Sequence, residues 1–175
     1  MRLKLNLCDV DVWFKVNDWQ KTESNEDEYD NWCNIELRIE SKYINYDTGG
    51  EILTSDEVSY FERILGKLIN GTLEADLSVE FLEPDLQFDL RIAKRLYDVP
   101  GKITYRNGYM DVDIDADFII HFWCSDGLGD NKFSMNMNRE ELEALHLYLR
   151  YVTGMIDKND SKIQSLLEKG LLLWE

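Results

Sequence analysis

The sequence predicts an α+β fold, an antiparallel, strongly twisted β-sheet with helices packed on one face. Three observations carry it. Many short segments alternate apolar and polar residues with a period of two, the mark of half-buried strands. Two longer segments repeat apolar residues at helical spacing behind clear start signals. The order is strands, helix, strands, helices, without an internal repeat, which suits an antiparallel sheet rather than alternating parallel units. At 175 residues the chain fits one domain, spanning residues 1–175, with a sizeable core.

Residues 2–17 read as strand with a change of parity. Leu3, Leu5 and Leu7 are odd, whereas Val10, Val12, Phe14 and Val16 are even. A one-residue shift exchanges the buried face, so a bulge or tight turn belongs at Cys8-Asp9. The following NDWQKTESNEDEYDNW is polar and acidic, a connection rather than an element. CNIELRIE then alternates cleanly through Cys33, Ile35, Leu37 and Ile39, a strand antiparallel to the first. In INYDTGGEIL, Gly49-Gly50 reads as a turn.

Thr54 and Glu57 form a T-x-x-E capping box. Val58, Phe61, Ile64, Leu65, Leu68 and Ile69 recur behind it as one helical stripe, and Gly71 supplies the stop. TLEADLSVEF alternates from Leu73 to Phe81, Pro84 breaks the ladder, and LQFDLRI resumes it, so the two make a hairpin. Asn107-Gly108 is a two-residue hairpin signal that pairs KITYR with a long strand from residue 109 to about 124. KFSMNM reads as the last strand, with Phe133, Met135 and Met137 inward. Asn138 and Glu141 cap a helix carrying Leu142, Leu145, Leu149, Val152 and Ile156, and a shorter helix over 160–169 ends at Gly170. The tail LLLWE is apolar and is expected to dock back on the core rather than meet another chain.

The net charge is −16, from 19 basic and 35 acidic residues. Such an excess repels nucleic acid and anionic membrane and favours encounter with a basic protein partner. The opening run alternates and carries charge, unlike a secretory leader, and no segment reaches the roughly 20 apolar residues of a membrane span. Cys8, Cys33 and Cys124 are odd in number and widely spaced, which points to a reduced, cytoplasmic setting.

The strings EYDNWCNIELRIE and SVEFLEPDLQFDL carry a family resemblance. With Asp30-Asn31-Trp32 entering a strand, a capped helix from Thr54 to Gly71, Glu83-Pro84 between two strands and a leucine-rich helix from Glu140 to Val152, the chain resembles the WapI-type immunity proteins of bacterial polymorphic toxin systems. The resemblance covers residues 1 to about 155, and the short helix and apolar tail beyond it look like an addition. It implies binding and neutralising a cognate toxin domain inside the producing cell, without catalysis and without a cofactor. It also leaves Asp30, Trp32, Glu83 and Pro84 open to a structural role.

The stretch MDVDIDADFIIHFW offers the most conspicuous chemistry, with Asp111, Asp113, Asp115 and Asp117 on every second residue. An EF-hand loop beginning at Asp111 needs Gly sixth and Glu twelfth, but Ala116 and Phe122 stand there. In a strand, same-face carboxylates stand roughly 6.6 Å apart and point in parallel, so they do not converge on one ion. A glycosidase-like pair meets the distance but lacks any sign of a sugar cleft. His121 and Cys124 fall on opposite faces of a strand. No metal or cofactor is therefore expected.

The same alternation suits a partner-binding face. Val112, Ile114, Ala116, Phe118, Ile120 and Phe122 form the buried side, and Tyr109, the four aspartates, Ile119, His121 and Trp123 form the other. Like charges on one face repel, and a basic partner would relieve that cost. Tyr109 and Trp123 suit interface anchors, and the acidic loop with Glu26, Asp27, Glu28 and Asp30 extends the surface. A plain solvated sheet face remains the alternative for this stretch. On the residues alone two further classes stay open: a small carboxylate-based enzyme or ligand-binding α+β domain, and a regulatory oligomeric domain with LLLWE between chains.

Overall fold

A computed structural model describes residues 1–21, 31–93, 113–122 and 131–174. Strands β1 (Arg2–Leu7), β2 (Val10–Asn17), β3 (Trp32–Glu40) and β4 (Asn45–Thr54) lead into helix α1 (Ser55–Ile69). Strands β5 (Leu77–Glu80), β6 (Leu86–Arg91), β7 (Asp115–Phe122) and β8 (Asn131–Met137) follow. Helices α2 (Arg139–Val152) and α3 (Ser161–Glu168) and the two-residue strand β9 (Leu172–Leu173) complete the order. The fold is α+β as expected, but the strands divide between two antiparallel sheets, β4-β3-β2-β1-β9 and β5-β6-β7-β8.

The parity change at Cys8-Asp9 is a two-residue hairpin turn. Both residues have positive φ, 53° and 66°, and Leu7 pairs with Val10. Turns of that hand match the twist of the flanking strands. Gly49-Gly50, by contrast, is not a turn. β4 runs straight through it, with Gly49 opposite Glu36 and Gly50 opposite Ile35. A Cβ on Gly49 would stand 3.3 Å from the Ile35 carbonyl oxygen, so the glycine serves close strand approach. Ser41 closes the hairpin instead, its hydroxyl accepting from the Tyr43 and Ile44 N–H groups at 3.2 and 3.1 Å. A bulge opposite Cys33-Asn34 then lets Ile52 and Leu53 both be buried in succession.

Both capping boxes form. The Thr54 N–H donates to Glu57 Oε2 at 2.8 Å and the Glu57 N–H to Thr54 Oγ1 at 3.2 Å. Asn138 and Glu141 repeat the exchange at 2.7 and 3.2 Å. Gly71 follows α1 at φ +69°. The stretch before Leu77 is not strand, so the β5–β6 hairpin is shorter than its alternation suggests. The expected KITYR strand, the Asn107-Gly108 turn and the polar connection over 22–30 lie outside the described residues.

Each sheet buries one face, and the helices stand against both. Phe61 of α1 meets Phe81, just after β5, and Phe88 of β6, with ring centroids 5.6 and 4.4 Å apart. Phe88 stacks on Phe118 at 4.7 Å. Tyr148 of α2 is fully buried against Phe14 of the first sheet, and its hydroxyl accepts the Val16 N–H at 2.9 Å. That bond satisfies a buried backbone donor beside the end of β1, where no neighbouring strand residue stands opposite Val16 on that side.

KFSMNM is not the last strand. The tail docks as expected: β9 pairs with β1, the Lys4 N–H donates to the Leu171 carbonyl at 2.8 Å, and Leu172 is buried. Ile163 and Leu166 of α3 join the same core cluster. Ile163→Ala is therefore expected to destabilise the protein by about 2–5 kcal/mol, the usual cost of emptying a fully buried aliphatic site, read from urea denaturation.

The α1–α2 contact contains a histidine beside a carboxylate, His146 and Glu62. Gly66 lets His146 approach, since a Cβ there would lie 3.1 Å from the ring Nε2. His146 Nε2 also stands 3.0 Å from Glu62 Oε1, with Arg150 and Lys162 on the cationic side. Burial pushes the His146 pKa below its ordinary range, against the pull of Glu62. As pH drops below about 6.5 the unfolded chain takes up a proton that the folded one resists, so stability falls. The thermal midpoint is expected to decline between pH 7.5 and about 5.5, above the carboxylate range, and His146→Gln should flatten that decline.

Candidate functional site

The outer face of the second sheet holds the aspartates that are described. β5 contributes Ser78 and Glu80, β6 contributes Gln87, Asp89 and Arg91, β7 contributes Asp115, Asp117, Ile119 and His121, and β8 contributes Lys132, Ser134 and Asn136. The alternation of buried Leu86, Phe88, Leu90, Ala116, Phe118 and Ile120 turns these side chains outward. In register, Asp117 faces Asp89 on one side and Asn136 on the other, and Asp115 faces Arg91.

Two of the aspartates along β7 share one cation. Arg91 forms a fork to Asp117, Nη1 to Oδ2 at 2.8 Å and Nη2 to Oδ1 at 3.0 Å, and its Nε donates to Asp115. That guanidinium holds the Asp117 carboxyl below the usual range, and the two carboxylates raise the pKa of Arg91 in return. Asn136 adds a bond to Asp117 Oδ1 at 3.4 Å. Asp113 lies just before β7 and is held by Arg139 at 2.7 Å, which lowers its pKa too. Along Asp113, Asp115 and Asp117, the described part of the row, the expected repulsion is thus relieved within the chain. The reason is a cation two strand positions wide, a bidentate guanidinium that spans Asp115 and Asp117 at once.

A second hydrogen-bonded group continues the face. Asp89 accepts from Ser78 Oγ at 2.7 Å and from Gln87 Nε2 at 2.7 Å, and Gln87 Oε1 lies 3.1 Å from His121 Nε2. Ile119 belongs to this face by alternation but is only 3% exposed, so it offers no apolar anchor. Tyr109, Asp111, Trp123 and the loop residues Glu26, Asp27, Glu28 and Asp30 lie outside the described residues, as does Cys124. Nothing in the sequence pattern pointed to Arg91 or Arg139. A diagonal cation one strand over is visible only once the β6–β7 register is known.

The arrangement is a structured, hydrogen-bonded polar surface. Among the described residues no group of three or more His, Cys, Asp or Glu is placed to hold a metal ion. Asp115 and Asp117 spend oxygens on Arg91, and Asp89 accepts from Ser78 and Gln87. Among the described residues no helix is long and apolar enough to cross a membrane.

The family described as Immunity protein WapI-like matches residues 9–153. The chain belongs to this family. It is therefore a non-enzymatic immunity protein that neutralises a cognate toxin by binding it. The matched span runs from the β1–β2 turn to the end of α2, so it covers both sheets apart from β1 and β9. α3 and β9 follow it. No curated protein and no solved structure matches the chain. Of the residues that carry the family resemblance, Trp32 opens β3 opposite Thr54, and Glu83-Pro84 lies in the β5–β6 turn.

Arg91→Ala should lower stability by ~1 kcal/mol, given that the partners are about one-third exposed and solvent-screened. The sharper readout is Asp117 itself: its carboxyl titration, followed by NMR, should move up toward the ordinary aspartate value in that variant.

Proposed function

We propose that the toxin neutralised by this protein presents a basic face, and that the acidic outer face of the second sheet guides its approach. The net charge of −16 supports the reading, because a field of that size speeds capture of a cationic partner. Asp113 is the most exposed of the described aspartates on this face, with its side chain 56% accessible, and stands at the end of the face. Asp115 and Asp117 contribute together with Arg91 as a net negative group. Asp111, Tyr109, Trp123 and the acidic residues Glu26, Asp27, Glu28 and Asp30 belong to the same proposed contact set on charge and sequence position. The cytoplasm is the proposed location, since the protein must meet the toxin in the producing cell and the buried Cys33 is a free thiol bonded to Ser55.

The test uses the toxin domain encoded beside this chain. Association measured at low and high salt should slow by about tenfold as ionic strength rises, because steering is screened. Asp113→Lys should slow association further at low salt, while leaving dissociation nearly unchanged. Salt-independent association would remove the basic partner from the reading. An unchanged rate in Asp113→Lys would remove this face.

A further inference from the structure

Five large apolar side chains are exposed among the described residues: Tyr43, Tyr60, Leu82, Met155 and Trp174. Scattered singly, such residues are ordinary. Three of them, Tyr60, Leu82 and Met155, line one open groove of about 1220 Å³. Gathered in one concavity, they mark a surface built to be covered.

The groove runs along the outward side of α1 and is preformed. Asp18, at φ 63°, turns the chain out of β2 so that Trp19 lies on α1, where its indole N–H reaches the Ser55 carbonyl at 3.1 Å. Leu82 is held from the far side, its N–H donating to the Glu57 carboxylate. Met155 follows Gly154, at φ +68°, in a turn whose Met155 N–H donates to the Arg150 carbonyl at 2.9 Å. Four separate parts of the chain are thus fixed around one space, which lowers the ordering cost of filling it.

Several polar groups of the groove are engaged within the fold. Thr54 and Glu57 exchange capping bonds, and Glu62 serves His146. The apolar and aromatic surface that a partner meets there comes from Trp19, Tyr60, Leu82 and Met155. The charge around it stays on the acidic side, with Asp56, Glu57 and Glu62 against Lys21 and Arg63. Arg63 is turned onto the Tyr60 ring, 5.5 Å from its centroid.

We propose that this groove anchors the cognate toxin, receiving an apolar or aromatic side chain of a segment that also carries lysine or arginine. The proposal rests on the toxin-binding reading above. Tyr60, Leu82 and Met155 supply the desolvated contact that sets the lifetime of the complex, and the acidic rim matches the flanking cation. Charge on the outer face of the second sheet then acts on the rate of encounter, and the groove acts on the rate of escape.

The experiment measures association and dissociation of the purified full-length protein with the toxin domain encoded beside it. Leu82 and Met155 are 49% and 66% exposed, so the uncharged pair Leu82→Gln and Met155→Gln should leave the protein folded, as its thermal midpoint checks. The double variant should raise the dissociation constant by about tenfold or more, chiefly through faster dissociation, as expected for losing central apolar anchors. Tyr60→Ala should act in the same direction, and Tyr60→Phe should not. Wild-type binding with an unchanged constant in the double variant and in Tyr60→Ala overturns the groove and leaves toxin binding standing. Failure of the wild type to bind overturns the toxin reading and the groove with it. Sedimentation showing a wild-type dimer that the double variant abolishes assigns the groove to a second copy of this chain and overturns the proposal.

Discussion

Each sheet has a single apolar face, and that constraint organises the rest of the molecule. Two such faces cannot both be satisfied by a helix lying on one sheet. Helices α1 and α2 pack together and present Phe61 to one sheet and Tyr148 to the other. The buried side chains of both sheets and all three helices then form one cluster. Period-two strands turn every second residue away from the core, and on the outer face of the second sheet most of these are polar. Among the described residues, the outer faces of the sheets and the exposed side of α1 are surfaces that a partner can reach.

Those surfaces differ in kind. The outer face of the second sheet is charged but internally paired, with Arg91 shared by Asp115 and Asp117 and Arg139 holding Asp113. Pairing of that sort reduces the charge a partner feels at contact range, yet the chain as a whole remains strongly acidic. Long-range attraction survives local pairing, since a distant partner responds to net charge. The groove along α1 has the reverse character, modest in charge and rich in exposed apolar area. A neutralising protein needs both fast capture and slow release, and these draw on different physical terms.

Much of the local structure was legible in the residues. The parity change at Cys8-Asp9 could only be a bulge or a turn, and the structure makes it a turn. The capping boxes at Thr54 and Asn138 placed both long helices because each box is a local exchange of hydrogen bonds. Gly49-Gly50 misled, since glycine permits a tight turn and also permits close strand approach, and only the Ile35 carbonyl opposite decides between them. The tail LLLWE was expected to dock, and it does so by adding β9 to β1.

The order of residues alone dictates the period of most segments, the ends of the long helices, the α+β class and the excess of negative charge. These are properties of neighbouring residues or of totals. The division into two sheets, the pairing of Asp115 and Asp117 with Arg91, and the gathering of Trp19, Tyr60, Leu82 and Met155 around one groove arise only in three dimensions. Each of these depends on residues far apart in the chain being brought together by strand register and helix packing. A stripe of aspartates states its spacing in one dimension, but whether a cation stands beside it is settled by the neighbouring strand.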